Sequence, residues 1–120
     1  MRYLTVVTVG LLMLGCGPSV TEIRDQAVAQ YQLGHIEQAE MNLREVLDER
    51  PYDAEALYYM GRIQQDMGRP TRAIYYYQCC LDVDPSHEMA RMWLRRAEQQ
   101  TGETGRRLRF IPPDQRESGS

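Results

Sequence analysis

The chain has 120 residues, 42% of them hydrophobic, and a formal net charge of −3 at pH 7. That length supports one modest core, the hydrophobic share speaks against wholesale disorder, and the charge speaks against a nucleic-acid-binding surface. All 14 basic residues are arginine, a bias that genome composition accounts for better than a demand for bidentate ion pairs.

The chain opens MRYLTVVTVGLLMLGCG: one arginine, an apolar run over residues 3–14, then Gly15 and Cys16. A dozen apolar residues at ~1.5 Å each cannot cross a hydrocarbon core of ~30 Å, yet they suit a secretory h-region. The ending LLMLGC resembles a bacterial lipoprotein signal, with Met13 and Leu14 departing from the usual leucine followed by a small residue. The resemblance implies that residues 1–16 are a signal segment and that Cys16 is lipidated, anchoring the mature chain in a membrane. Gly17 rather than aspartate after the cysteine resembles the signal for outer-membrane delivery, with the protein facing the periplasm.

Ser19 with Glu22 three residues on forms a capping box and starts the first helix. Only two residues separate Cys16 from this cap, so a lipid there holds the following unit against the membrane surface. Residues 20–53 then read as a helical hairpin. Gly34 is the expected C-cap of the first helix. In the second, Ile36, Ala39, Leu43, Val46 and Leu47 face inward, while Glu37, Glu40, Arg44, Glu45, Asp48 and Glu49 make a solvated, mostly acidic face. Pro51 ends that helix.

Residues 54–87 repeat the design. Leu57, Met60, Gly61 and Ile63 keep helical spacing, Gly68-Arg69-Pro70 interrupts, and Ala73, Ile74, Tyr77, Cys80 and Leu81 resume the stripe. Pro51 and Pro85 stand 34 residues apart, the period of a helix–turn–helix repeat. Met60-Gly61, Ala73, Tyr77 and Asp84-Pro85 resemble the tetratricopeptide repeat. Moved back by 34, the same register lays Ala27 under Gly61, Ala39 under Ala73, Leu43 under Tyr77 and Val46 under Cys80. Moved forward it fits only residues 88–101, with Ala90, Trp93, Leu94 and Ala97 on one stripe, because Arg107 falls where alanine is needed and Pro112-Pro113 follow. The expected fold is all-α: a tetratricopeptide-type solenoid of two repeats, 20–53 and 54–87, a closing helix at 88–101, and a tail at 102–120. In that tail Arg106, Arg107 and Arg109 are combined with Leu108, Phe110 and Ile111, a piece suited to covering the exposed face of the last helix or to touching anionic lipid headgroups, cell-wall polymer or a partner protein.

In the related fold the first helices of successive repeats line a concave groove, and the register places Tyr31, Tyr58, Arg62, Gln65, Met89, Met92 and Arg96 there. Aromatic, methionine and arginine side chains suit peptide binding, and the two arginines favour a segment with apolar anchors and an acidic group. Some relatives clamp a C-terminal carboxylate with lysines and asparagines; Arg24, Val28, Tyr59, Met89 and Trp93 hold those positions here, which is not that clamp. Cys79 and Cys80 diverge by about 100° on a helix and cannot pair with each other. Cys80 takes a core position, while Cys79 is either an inert half-buried thiol or a link to a second copy or a partner.

Catalytic chemistry and metal sites are not expected. His35 and His87 sit near helix starts without metal-ligand spacing, and the chain has no phosphate loop and no nucleophile–base set. The reading is a non-catalytic, cofactor-free protein-interaction adaptor on the bacterial envelope, resembling small tetratricopeptide-repeat lipoproteins, some of which help assemble pilus secretins or outer-membrane barrels. The alternative is a self-associating structural lipoprotein, a homodimer whose groove is filled by the second copy.

Overall fold

A computed structural model describes residues 17–102; the leader with Cys16 and the tail beyond Gly102, including Arg106, Arg107 and Arg109, lie outside the described residues. Five helices follow one another: α1 (Val20–Gln32), α2 (Ile36–Glu49), α3 (Ala54–Asp66), α4 (Pro70–Val83) and α5 (Glu88–Thr101). Each boundary has a local cause. At α1 the Glu22 amide donates to Ser19 Oγ at 3.2 Å and the Ser19 amide donates to Glu22 Oε2 at 2.7 Å, the expected capping box. Asp53 caps α3 through the Ala56 amide at 3.0 Å, Pro70 opens α4 where no amide donor is needed, and His87 Nδ1 caps α5 through the Ala90 amide at 3.0 Å.

The turns α1–α2 and α3–α4 are built alike, with Gly34 and Gly68 at φ +85° and +73°. The C-cap of α1 is Leu33, still right-handed, and Gly34 is the next residue, one place beyond where the sequence put the cap.

Within a hairpin, small residues set the separation of the helices. At Gly61 a Cβ would stand 2.4 Å from Cε1 and 2.6 Å from Cδ1 of Tyr77, whose ring is fully buried. In the first hairpin Ala27 takes the glycine's place and Leu43 the tyrosine's, both with no exposure. The ring is thus accommodated by removal of one methyl from the facing helix.

Two apolar clusters share α3. Ala56, Met60 and Ile63 join Ile23, Ala27, Ala39, Leu43 and Val46, whereas Leu57 and Tyr58 join Ala73, Ile74, Tyr77, Cys80, Ala90 and Ala97. Leu47, Tyr59 and Tyr76 pack against both, which makes the core continuous. Ile36 and Leu47 are half-buried at its edge, as the inward stripe of α2 requires. Glu40 corrects that stripe's polar side. It accepts from Arg44 at 2.7 Å and from the buried Gln64 amide at 3.2 Å, so it turns toward α3 instead of joining the solvated face.

Helix α1 touches α3, and α3 touches α5, whereas α2 and α4 make no mutual contact among the described residues. The odd-numbered helices form the tighter layer and the even-numbered ones splay. The layer of α1, α3 and α5 is therefore the concave side.

Replacing Gly61 by alanine should destabilise the chain by ~1–3 kcal/mol through overpacking, against a helix-propensity gain of about 1 kcal/mol. In the pair Gly61→Ala/Tyr77→Leu, which copies the first hairpin, the loss should be smaller than the two single losses combined, as read by thermal melting. Strict additivity would show that this contact does not set the helix spacing.

Burial, and then Asp84, push the Cys80 thiol up to about 11. The neutral thiol's contribution to stability is complete below the unfolded thiol's range and is lost as pH climbs from about 9 toward 11. The melting temperature should fall over that interval, and at pH 8 alkylation should reach Cys80 only after denaturant is added. Labelling of Cys80 in the folded chain at the rate of a free thiol would contradict its burial.

Candidate functional site

Arg62 is the centre of the concave layer. It projects from α3, half-buried, and its Nη1 donates to the Tyr58 hydroxyl one turn earlier at 3.2 Å. Its guanidinium carbon lies 3.6 Å from the centroid of the Trp93 ring on α5 and 5.7 Å from that of Tyr31 on α1. Arg96 covers Trp93 as well, at 4.8 Å, so the indole is held between two arginines. One cation thus joins all three odd helices through ring faces, each such contact contributing ~0.5–2 kcal/mol according to its desolvation.

Among the described residues no carboxylate pairs with Arg62. Its Nε and the Trp93 indole Nε1 are buried without a hydrogen-bond partner. Arg24, in the preceding repeat, is different: it donates to Asp53 at 3.0 Å, lies 3.3 Å from Glu55, and ties α1 to the start of α3. The positive charge of Arg24 is spent inside the fold, while that of Arg62 is balanced only by aromatic rings and hydroxyls.

Polar contacts continue the seam. The Tyr31 hydroxyl donates to Asp66 Oδ2 at 2.7 Å, and burial together with this bond pushes its pKa up. Gln65 uses both ends of its amide, accepting from Tyr77 at 2.8 Å and donating to Gln100 at 3.2 Å.

The seven residues expected in the groove therefore divide. Arg62 and Arg96 meet over Trp93, Tyr31 adjoins Arg62, and Gln65 is engaged by Tyr77 and Gln100. Tyr58 lies beneath them, only 7% exposed, with its ring 5.0 Å from both Tyr59 and His87, so it supports Arg62 and offers no open ring face. Met89 and Met92, 47% and 43% exposed, border a shallow depression of about 390 Å³ on α5 with Glu88, Arg91 and Arg95. Trp93 was read as a packing residue; its place at the centre was legible in the register, since it stands 34 residues after Tyr59, and Arg96 34 after Arg62. The stacking of His87 carried no such signal, because it depends on which rotamer meets which neighbour.

A second depression, about 240 Å³, lies between the α2–α3 turn and α4 and is lined by Pro51, Tyr52, Leu57, Tyr75, Cys79 and Val83, with Asp82 at its edge. Cys79 is half-buried in its wall. Burial, then the bond to Cys79, push Tyr75 up to about 12. Among the described residues no three His, Cys, Asp or Glu side chains gather as a metal site, and no helix is long and apolar enough to cross a membrane.

Residues 54–87 match the family model of the tetratricopeptide repeat, the span of α3, α4 and the turn that follows. No curated protein sequence matches the chain. Repeats of this family mediate protein–protein interaction and are typically non-catalytic.

Proposed function

Since the chain is a tetratricopeptide-repeat protein of all-α fold, a class whose repeats bind other proteins, we propose that it is an adaptor that holds a peptide segment of an envelope protein across α1, α3 and α5. The observation that carries this is the Arg62 guanidinium, flanked by Tyr31, Tyr58 and Trp93 with no carboxylate among the described residues to neutralise it. An acidic group on the ligand supplies the missing counter-charge in a partly desolvated site, where a charge pair is worth more than at an open surface. The aromatic surroundings give apolar anchors of the same ligand something to pack against. Arg96 strengthens the positive field at one edge.

The LLMLGC motif supports the envelope setting, with a lipid on Cys16 placing the first repeat at the outer membrane's periplasmic surface. In that setting the partner comes from an envelope assembly, of the pilus-secretin or barrel type.

Arg62→Gln tests the reading. The protein is captured from cross-linked, detergent-solubilised membranes and co-purifying chains are identified by mass spectrometry. The variant should recover its main partner at least about tenfold less well, the scale of losing one buried charge contact of ~1.4 kcal/mol or more. Trp93 is the only tryptophan, so the partner's acidic segment should also shift its emission in the parent and not in the variant. Undiminished recovery with unchanged helicity would remove Arg62, and the concave site with it, from the binding surface.

A further inference from the structure

One contact between successive odd helices repeats with the 34-residue register. Tyr31 donates to Asp66, and 34 residues on Gln65 donates to Gln100. Arg62 covers the ring of Trp93, and 34 residues before Trp93 stand Tyr59 and then Asp25. One further step of the ladder starts from Gln99 and Arg96 on α5 and requires, on the helix to come, the residues that occupy the Gln32 and Asp25 positions. All four of these side chains are exposed, that of Asp25 by 67%.

The two ends are also opposite in charge. On the first hairpin the carboxylates of Asp25, Glu45, Asp48 and Glu49 are exposed. On α5 the exposed charges are Arg91, Arg95 and Arg96 against Glu88. The apolar Met92 lies among the arginines, 43% exposed. Arg95 stands where Gly61 stands one repeat earlier, so a helix cannot close on α5 as tightly as α4 closes on α3.

We propose that copies of this chain associate head to tail, α5 of one docking on α1 of the next, with Arg96 opposite Asp25 and Gln99 opposite Gln32. The second copy continues the solenoid at the place where the repeat pattern ends. Such an interface uses two different surfaces of each copy, so it is heterologous and grows into chains or rings instead of stopping at a two-fold dimer. Its charge pairs are rim-exposed and screened by salt.

Two variants of the full chain test this, in a non-ionic detergent with micelles in large excess, read by energy transfer between labelled copies and by sedimentation. Arg95→Gln/Arg96→Gln spoils the tail surface and Asp25→Arg/Glu45→Arg spoils the head. The parent should form species whose mass rises with protein concentration and falls with salt. Each variant alone should self-associate at least tenfold more weakly, and the two mixed should form one-to-one pairs that grow no further, because one intact head meets one intact tail. If either variant melts early, Arg96→Gln and Asp25→Asn replace it with the same expectation at smaller amplitude. A parent that stays monomeric to millimolar concentration overturns the proposal. So do variants that self-associate like the parent, as a symmetric contact elsewhere would allow, and a mixture that fails to pair.

Discussion

The distance between α3 and α4 is set where the backbone at Gly61 meets the flat of the Tyr77 ring. With a Cβ position only 2.4 Å from a ring carbon, the two helices hold their spacing only while that methyl is missing. Other positions follow from this one. The Tyr77 hydroxyl is brought to Gln65, Gln65 reaches Gln100 on α5, and the second apolar cluster closes over Ala90 and Ala97. The first hairpin meets the same constraint with a smaller pair, Ala27 and Leu43, which shows that the quantity preserved between repeats is combined volume at the contact.

With α5 seated by these contacts, Trp93 comes under Arg62. A guanidinium stacks on an indole more readily than an ammonium does, because it is planar and weakly hydrated, so the chain's exclusive use of arginine suits this site even if its cause is compositional. Among the described residues the cation is held without a neutralising carboxylate, in contrast to Arg24, which closes the junction of α1 and α3 with Asp53 and Glu55. One arginine fastens repeats together and the other keeps an unneutralised charge at the concave surface. The same register that produced both leaves Arg96 and Gln99 at the open end, where the described solenoid has no further helix to receive them.

Much of the fold was legible beforehand because it rests on spacing. Pro51 and Pro85, the small residues Ala27, Gly61, Ala39 and Ala73, and the capping box at Ser19 each act through backbone geometry or local hydrogen bonds, which a linear pattern records. The misreadings share a different cause. Glu40 was assigned to the solvated face on charge alone, but a long side chain one turn from Arg44 also reaches Gln64 on the next helix. Tyr58 was assigned to the groove by the repeat register, yet its ring is enclosed by Tyr59, Tyr77 and His87 and leaves only the hydroxyl for Arg62.

By itself, the sequence determined five amphipathic helices with a 34-residue period and the small residues that let pairs approach. Periodicity and size are properties of single residues and their spacing, so they survive in one dimension. Only the tertiary structure decided which side chains on the concave layer are open and which are covered, that Trp93 offers Arg62 a ring face while Tyr58 offers only its hydroxyl, and that Met89 and Met92 belong to a separate depression on α5. Those outcomes depend on rotamers and on the crossing of helices far apart in the chain, where neighbours compete for the same ring face or the same hydroxyl.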